Sequence, residues 1–311
     1  MEGTDVSLPK IASLNIDVDP LVSYYEIYGV NQKLSSDDPL YLKAIPRFLK
    51  FLKRLDIKST FFITARSFSE NTISMLKEIK REGHEIASHS FSHDYHLILN
   101  SHEKIKKDIE ENFSFLQNAA DENPIGFRAP GYNISKELLT ILRQAGYRYD
   151  SSLLHSRTYL YGKAFFIALQ KIIGKETASV IYKNPDLDYT YKPYRIRKTK
   201  KTNDNNAELI EFPITSVFSI PFIGTSIILL PRFILKFLIS QLQRREFINI
   251  ELHIIDFADA TDSHLFEPIL KIHPGLRIPS SKKEESISYV VTALKQKGYS
   301  FKTLAECTEL F

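Results

Sequence analysis

The stretch Ser13–Pro20, SLNIDVDP, decides how the rest of the chain is read. Leu14, Ile16 and Val18 alternate with polar residues, the two-residue period of a strand with a buried apolar row. Such a strand should not end in two carboxylates without compensation, because a buried unpaired charge is costly. If the strand runs on to Asp19, then Asp17 and Asp19 project from one face. A surface turn, a metal ion or a proton to be moved would each account for the pair.

Working outward, strands and amphipathic helices alternate. LYLKAIPRFLKFLKRLD (40–56) has apolar residues at helical spacing, and IKSTFFITA (57–65) is a β-branched and aromatic strand. ENTISMLKEIKREGH (70–84) reads as a helix ended by Gly83, followed by the short strand EIASH. The helix HEKIKKDIEENFSFLQNAA (102–120) leads to PIGFRAP and then to SKELLTILRQAGYRYDSS. Strand and helix in this order predict a parallel sheet with crossover helices, as a barrel or a doubly wound sheet.

Composition sets bounds on function. With 311 residues, 25% charged and 43% hydrophobic, the chain can bury a large core and is neither disordered nor fibrous. A formal charge of +4 is small for this length and gives no reason to expect nucleic acid. The single cysteine, Cys307, excludes an intramolecular disulfide framework and a cysteine-rich zinc site. The opening residues MEGTDVSLPK show no basic, apolar and small-residue export pattern, so the expectation is a cytoplasmic protein.

The second half is less regular. Residues 156–206 form an elaboration, with a helical YGKAFFIALQKIIGK followed by a polar, tyrosine-rich segment. Its cations Arg195, Arg197, Lys198, Lys200 and Lys201 read first as a solvated face and second as a site for phosphate or an anionic polymer. FPITSVFSIPFIGTSIILLP (212–231) carries no charge and approaches membrane-spanning length, but its prolines and Gly224 favour a strand, a loop and a second apolar segment in a large core. The amphipathic, basic RFILKFLISQLQRR after it makes peripheral contact with a membrane surface, at its inner face, a further reading.

A second cluster bears chemistry. In ASHSFSHDYH, His89 and His93 lie four apart, and on a helical turn they would grip one ion. Two imidazoles and one carboxylate form a common catalytic zinc shell, although histidines at this spacing are often incidental.

Taken in order, IDVD, HSFSH, FRAPGY, YDSS and IELH resemble the five motifs of the polysaccharide deacetylase family, the NodB-homology carbohydrate esterases. The resemblance runs from about Ile11 to His253 and implies a single catalytic domain over 1–311, an α/β fold of the distorted (β/α)7 barrel type with an insertion at about 156–206. It implies a divalent cofactor, with zinc as first choice, on Asp19, His89 and His93, and Asp17 as general base. Arg128 would brace Asp17, and the Tyr132 amide would stabilise the oxyanion. His253 would be the general acid, paired with Asp150, while Leu252 and Pro130, together with Tyr132, would contact substrate.

The implied activity is hydrolysis of an N-acyl group, acetyl first, from an amino sugar. A lipid-linked or nucleotide-linked sugar at a membrane, a cyclic amide, and a non-catalytic carbohydrate-binding barrel are the alternatives. The first motif departs from the commonest pattern, since Val18 separates the aspartates and Pro20 follows. The chain also lacks tryptophan, which long-polymer grooves often use for stacking.

Overall fold

Strand β1 (Ile11–Val18) is buried along its whole length, and its two rows of side chains meet different surroundings. In this computed structural model, which describes residues 9–34, 37–182, 190–196 and 208–311, Leu14, Ile16 and Val18 join the main apolar cluster with Phe48, Leu52 and Val290. The polar row turns the other way into a hydrogen-bonded interior. There Asn15 donates to Asn249 at 2.6 Å, and Asn249 donates to Ser151 at 3.0 Å.

The chain runs on through α1 (Leu21–Ile27), α2 (Ile45–Leu55), β2 (Thr60–Ile63), α3 (Glu70–Arg81) and β3 (Glu85–Ser88). Next come α4 (His102–Ala120), β4 (Gly126–Phe127), α5 (Lys136–Gln144), β5 (Tyr149–Asp150) and α6 (Arg157–Ile172). The second half adds β6 (Tyr194–Ile196), β7 (Leu209–Glu211), β8 (Ser216–Val217), β9 (Ile220–Pro221), α7 (Gly224–Leu229) and α8 (Arg232–Leu242). It ends with β10 (Phe247–His253), α9 (Glu267–Leu270), α10 (Ser280–Gln296), β11 (Ser300–Phe301) and α11 (Leu304–Cys307).

Local chemistry explains the helix boundaries. Helix α2 has Pro46 in its first turn, Lys53 and Arg54 in its last, and Asp56 in the left-handed conformation at its end. Ser69 and Thr72 form a reciprocal cap on α3.

The strand order is β10-β1-β2-β3-β4-β5-β7, parallel throughout, with β6 antiparallel on the outer edge of β7 and β11 beside the start of β1. This sheet curls. Beyond β7, Thr215 donates its amide to the carbonyl of Asn249 at 2.9 Å, and Ile223 forms a bridge with Glu251. The segment between β7 and α7 therefore returns to β10, and the sheet takes the barrel form expected, with helices outside and polar side chains inside.

The uncharged stretch 212–231 supplies this seam, the β8–β9 hairpin and the short helix α7. Phe212, Ile214, Phe222 and Ile227 are buried, and no helix among the described residues is long and apolar enough to cross a membrane. Of the basic run, Arg195 lies on β6 and pairs with Glu208, while Arg197, Lys198, Lys200 and Lys201 lie outside the described residues.

Candidate active site

At the C-terminal ends of the parallel strands, where α/β barrels place their chemistry, the two aspartates meet the two histidines. Asp19 Oδ1 lies 2.9 Å from His93 Nε2 and 3.3 Å from His89 Nε2. Asp17 Oδ2 is 3.7 Å from His89 Nε2. All four side chains are buried. His89 is aimed by its other nitrogen, whose Nδ1 sits 2.7 Å from the carbonyl oxygen of Arg128. Donation there leaves the Nε2 lone pair free to face the cluster, the second contact typical of a metal-binding imidazole.

The two histidines do not share a helical turn, as the four-residue spacing suggested. They follow β3 on a tight loop in which Ser90 and His93 take left-handed conformations. Asp108 on α4 holds this loop, accepting the amides of Phe91 and Ser92 at 2.8 and 3.0 Å. The Ser90 hydroxyl accepts the amide of His93 at 3.0 Å. Loop hydrogen bonds thus bring the rings together, with centroids 5.0 Å apart.

The donor atoms of Asp19, His89 and His93 lie within 4.8 Å of one another. Asp19 Oδ1 and His93 Nε2 are buried atoms without a hydrogen bond. Orphaned polar atoms converging on one point are costly unless something binds them, so this donor set fits a divalent cation. One carboxylate and two imidazoles suit zinc and other borderline ions.

Asp17 is held from behind. Arg128 is fully buried and its Nη1 donates to Asp17 Oδ1 at 2.6 Å. Its other donors reach Asn15, the Ser151 hydroxyl and the Ser151 carbonyl at 2.6, 2.8 and 2.8 Å. The guanidinium also lies 4.1 Å from the ring centre of Phe62. Burial raises the pKa of Asp17, partly offset by Arg128 and His89. Burial works against ionised Asp19 too, yet His93 and His89 hold its carboxyl well below the ordinary value. The environment thus divides the aspartates into a permanent anion and a group able to take a proton.

His253 closes the site from β10, its Nε2 3.6 Å from Asp19 Oδ2. Its expected partner is corrected by the structure: Glu251 Oε1, not Asp150, lies 2.8 Å from His253 Nδ1. Glu251 and His253 are two apart on one strand and share its inner face. Asp150 instead stands beside Glu211 in register between β5 and β7 and accepts the Ser152 hydroxyl at 2.7 Å. Burial raises the pKa of both carboxyls, and their mutual repulsion raises Glu211 further. Burial opposes a charge on His253, but Glu251, with Asp19 and Asp17 beyond it, keeps the ring protonated well above its usual range.

The remaining expectations divide. Leu252 is fully buried among apolar residues on the helix side of β10, because its neighbours Glu251 and His253 take the inner face. The Tyr132 amide donates to the carbonyl of Ala129 at 3.0 Å, closing a short 3-10 turn, so it is already engaged. Pro130 begins that turn and is buried, without lining the cavity. The cavity itself measures about 100 Å³ and is walled by Tyr95, Gly131, Tyr132, Tyr159, Ile223 and Thr225 around the Asp and His cluster. Gly131 is required there: its φ is +63°, and a Cβ would stand 2.5 Å from the Tyr95 ring. Lys163 on α6 donates to the Gly131 carbonyl at 3.2 Å, so the elaboration does reach the mouth.

Residues 35–149 match the sequence profile described as polysaccharide deacetylase. That region holds His89, His93 and Arg128, while Asp17, Asp19, Glu251 and His253 join them through the fold. Over those residues the chain resembles the polysaccharide deacetylase family. It is 26% identical over 152 residues to a peptidoglycan deacetylase of Helicobacter pylori, covering 47% of this chain and 50% of that protein. It is 32% identical over 111 residues to a peptidoglycan-N-acetylglucosamine deacetylase of Bacillus cereus, covering 36% and 49%. The chain thus spans about half the length of these curated relatives. A solved structure from Mycobacterium smegmatis, titled as a candidate polysaccharide deacetylase, shares the fold with a TM-score of 0.62 at 16% identity, covering 98% of this chain and 91% of that one.

Proposed function

We propose that this protein is a metal-dependent hydrolase that removes an acetyl group from the nitrogen of an amino sugar in a glycan. The observation that carries the reading is the convergence, in one small cavity, of the Asp19, His89 and His93 donor set, in which Asp19 Oδ1 and His93 Nε2 are orphaned, with a braced carboxylate and a carboxylate-paired imidazole. The names of the relatives from Helicobacter pylori and Bacillus cereus favour a peptidoglycan-type N-acetylglucosamine unit.

Asp19, His89 and His93 would hold the ion. When bound, a divalent ion supplies a lowered pKa for water and polarisation of the acyl carbonyl. The chain's own groups manage the protons. Asp17, fixed by Arg128, takes one from the attacking water as its oxygen bonds to the acyl carbon. His253, held protonated by Glu251, gives one to the sugar nitrogen as the carbon–nitrogen bond breaks. The products are acetate and a free amine, and a second cycle needs Asp17 deprotonated and His253 reprotonated from solvent.

A cavity of about 100 Å³ accommodates an acyl group and little more, so the sugar would sit against Tyr95, Tyr132 and Tyr159 at its mouth. Acetate release from N-acetylglucosamine oligomers and peptidoglycan fragments is the test. Activity lost with a chelator and restored by zinc or cobalt supports the reading; activity persisting in Asp19→Ala or His93→Ala overturns it.

A further inference from the structure

Helix α6 is apolar around most of its circumference, which for a helix of a water-exposed domain normally means burial. Among the described residues only one side has a partner. Tyr159, Lys163, Phe166 and Gln170 face the barrel, with Phe166 against Tyr28 and Gln170 buried. On the opposite side Tyr161, Phe165 and Ile172 are 73, 71 and 80% exposed, and no described residue covers them.

The β8–β9 hairpin extends this surface. Its tip residues Phe218 and Ser219 both have positive φ, +49° and +64°. Left-handed backbone is unfavourable for a bulky residue, yet Phe218 is 68% exposed. The Ser219 carbonyl accepts hydrogen bonds from Ser156 and Thr158 at the start of α6. Phe218 also stacks on Phe237 of α8, with ring centres 5.9 Å apart, and Phe233 lies one turn earlier on α8, equally open. The tip therefore links two exposed aromatic helices.

Charge identifies the occupant. Residues 151–175 and 212–245 contain no aspartate or glutamate, while Arg157, Lys171, Lys175, Lys236 and Arg244 are exposed there. Arg232 is the exception, since Glu285 neutralises it. A second copy of this chain docked face to face would oppose cation to cation. An anionic bilayer accepts both the cations and the apolar side chains.

We propose that α6, the β8–β9 tip and the outer face of α8 form a docking surface for an anionic lipid bilayer, on which the protein lies without spanning it. Helix α6 and the segment that follows the hairpin reach the cavity, since Tyr159 of α6 and Ile223 and Thr225 at the start of α7 line it. Docking would hold the cavity close to the bilayer, so the substrate would be a glycan or sugar carried at a membrane. That last step rests on the deacetylase reading; the docking does not.

Flotation of the purified chain with phosphatidylcholine vesicles, with and without phosphatidylglycerol, tests it. Wild type should float with the anionic vesicles, weakly with neutral ones, and lose binding as salt rises. Phe165→Ala and Phe218→Asn should each weaken partitioning about tenfold, and Lys171→Ala or Lys236→Ala about fivefold. Phe165→Ala should deacetylate soluble oligomers at the wild-type rate. Absence of anionic-vesicle binding overturns the proposal, as does a solution dimer that Phe165→Ala dissociates. A chain that floats but releases no acetate upholds the docking and removes only the enzymatic reading.

Discussion

Glu251 and His253, two residues apart on β10, meet with Oε1 2.8 Å from Nδ1, so a single strand supplies both the imidazole and the carboxylate that keeps it charged. Two neighbours on one strand cannot slide apart as barrel staves can, so the pairing is set by the backbone itself.

The first prediction follows from that pair. Glu251→Gln removes the carboxylate that raises the His253 pKa, so the imidazole loses its proton at lower pH. The alkaline limb of the deacetylation profile should move to lower pH, and kcat should fall about 100-fold, the order of one general-acid contribution. Asp150→Asn should leave the limb in place. If Asp150→Asn shifts it and Glu251→Gln does not, the assignment of partners is wrong.

Metal content provides the second. Wild type should bind about one zinc per chain, and His93→Ala should lose most of it, read by elemental analysis of dialysed protein. Because a ligand that binds only the folded state stabilises it, zinc in 100-fold excess over its Kd should add about 2.7 kcal/mol. A melting temperature indifferent to zinc and chelator would contradict the assigned donors.

Arg128 yields the third. Arg128→Met leaves Asp17 buried without its cation and severs the links to Asn15 and Ser151. Loss of one partner from a buried pair costs about 3–5 kcal/mol, to be read in chemical denaturation. Arg128→Lys keeps the charge but not the fork, and should recover only part of that loss. Full stability in either variant would show that the interior network is dispensable.

A fourth concerns acid. His84 is buried against Phe61 and accepts the Ser59 amide at 3.3 Å. Burial pulls its pKa down to about 4. The proton therefore prefers the unfolded chain: His84's contribution is fully present above about pH 6.5 and drains away as pH falls toward about 4, costing about 2 kcal/mol between about pH 7 and 5. Burial pulls His273 down to about 3, so it acts in the same direction. Denaturation curves of wild type and His84→Gln should converge on acidification; parallel curves would exclude this role.

Much of this architecture was written locally. Alternating residues in Ser13–Asp19 foretold the buried apolar row, though not that the polar row would face a hydrogen-bonded interior, and the helix at 102–120 matches the sequence pattern residue for residue. The metal-type cluster was legible because Asp17, Asp19, His89 and His93 sit in short motifs. Glu251 was legible too, by the same two-residue rule that joined Asp17 to Asp19. Asp150 drew the assignment instead, through the family pattern, but register places it against Glu211. The cavity wall was hidden for another reason. Tyr95, Tyr159, Ile223 and Thr225 come from segments far apart in sequence, and only chain closure brings them together.

That closure has an evolutionary corollary. The peptide from Phe212 to Ile223 is at once the last stave of the barrel and a wall of the cavity. A mutation that enlarges the cavity at Ile223 also loosens the joint with β10, so room in the cavity is coupled to thermal stability. Tyr95 and Tyr159 also wall the cavity but take no part in that joint.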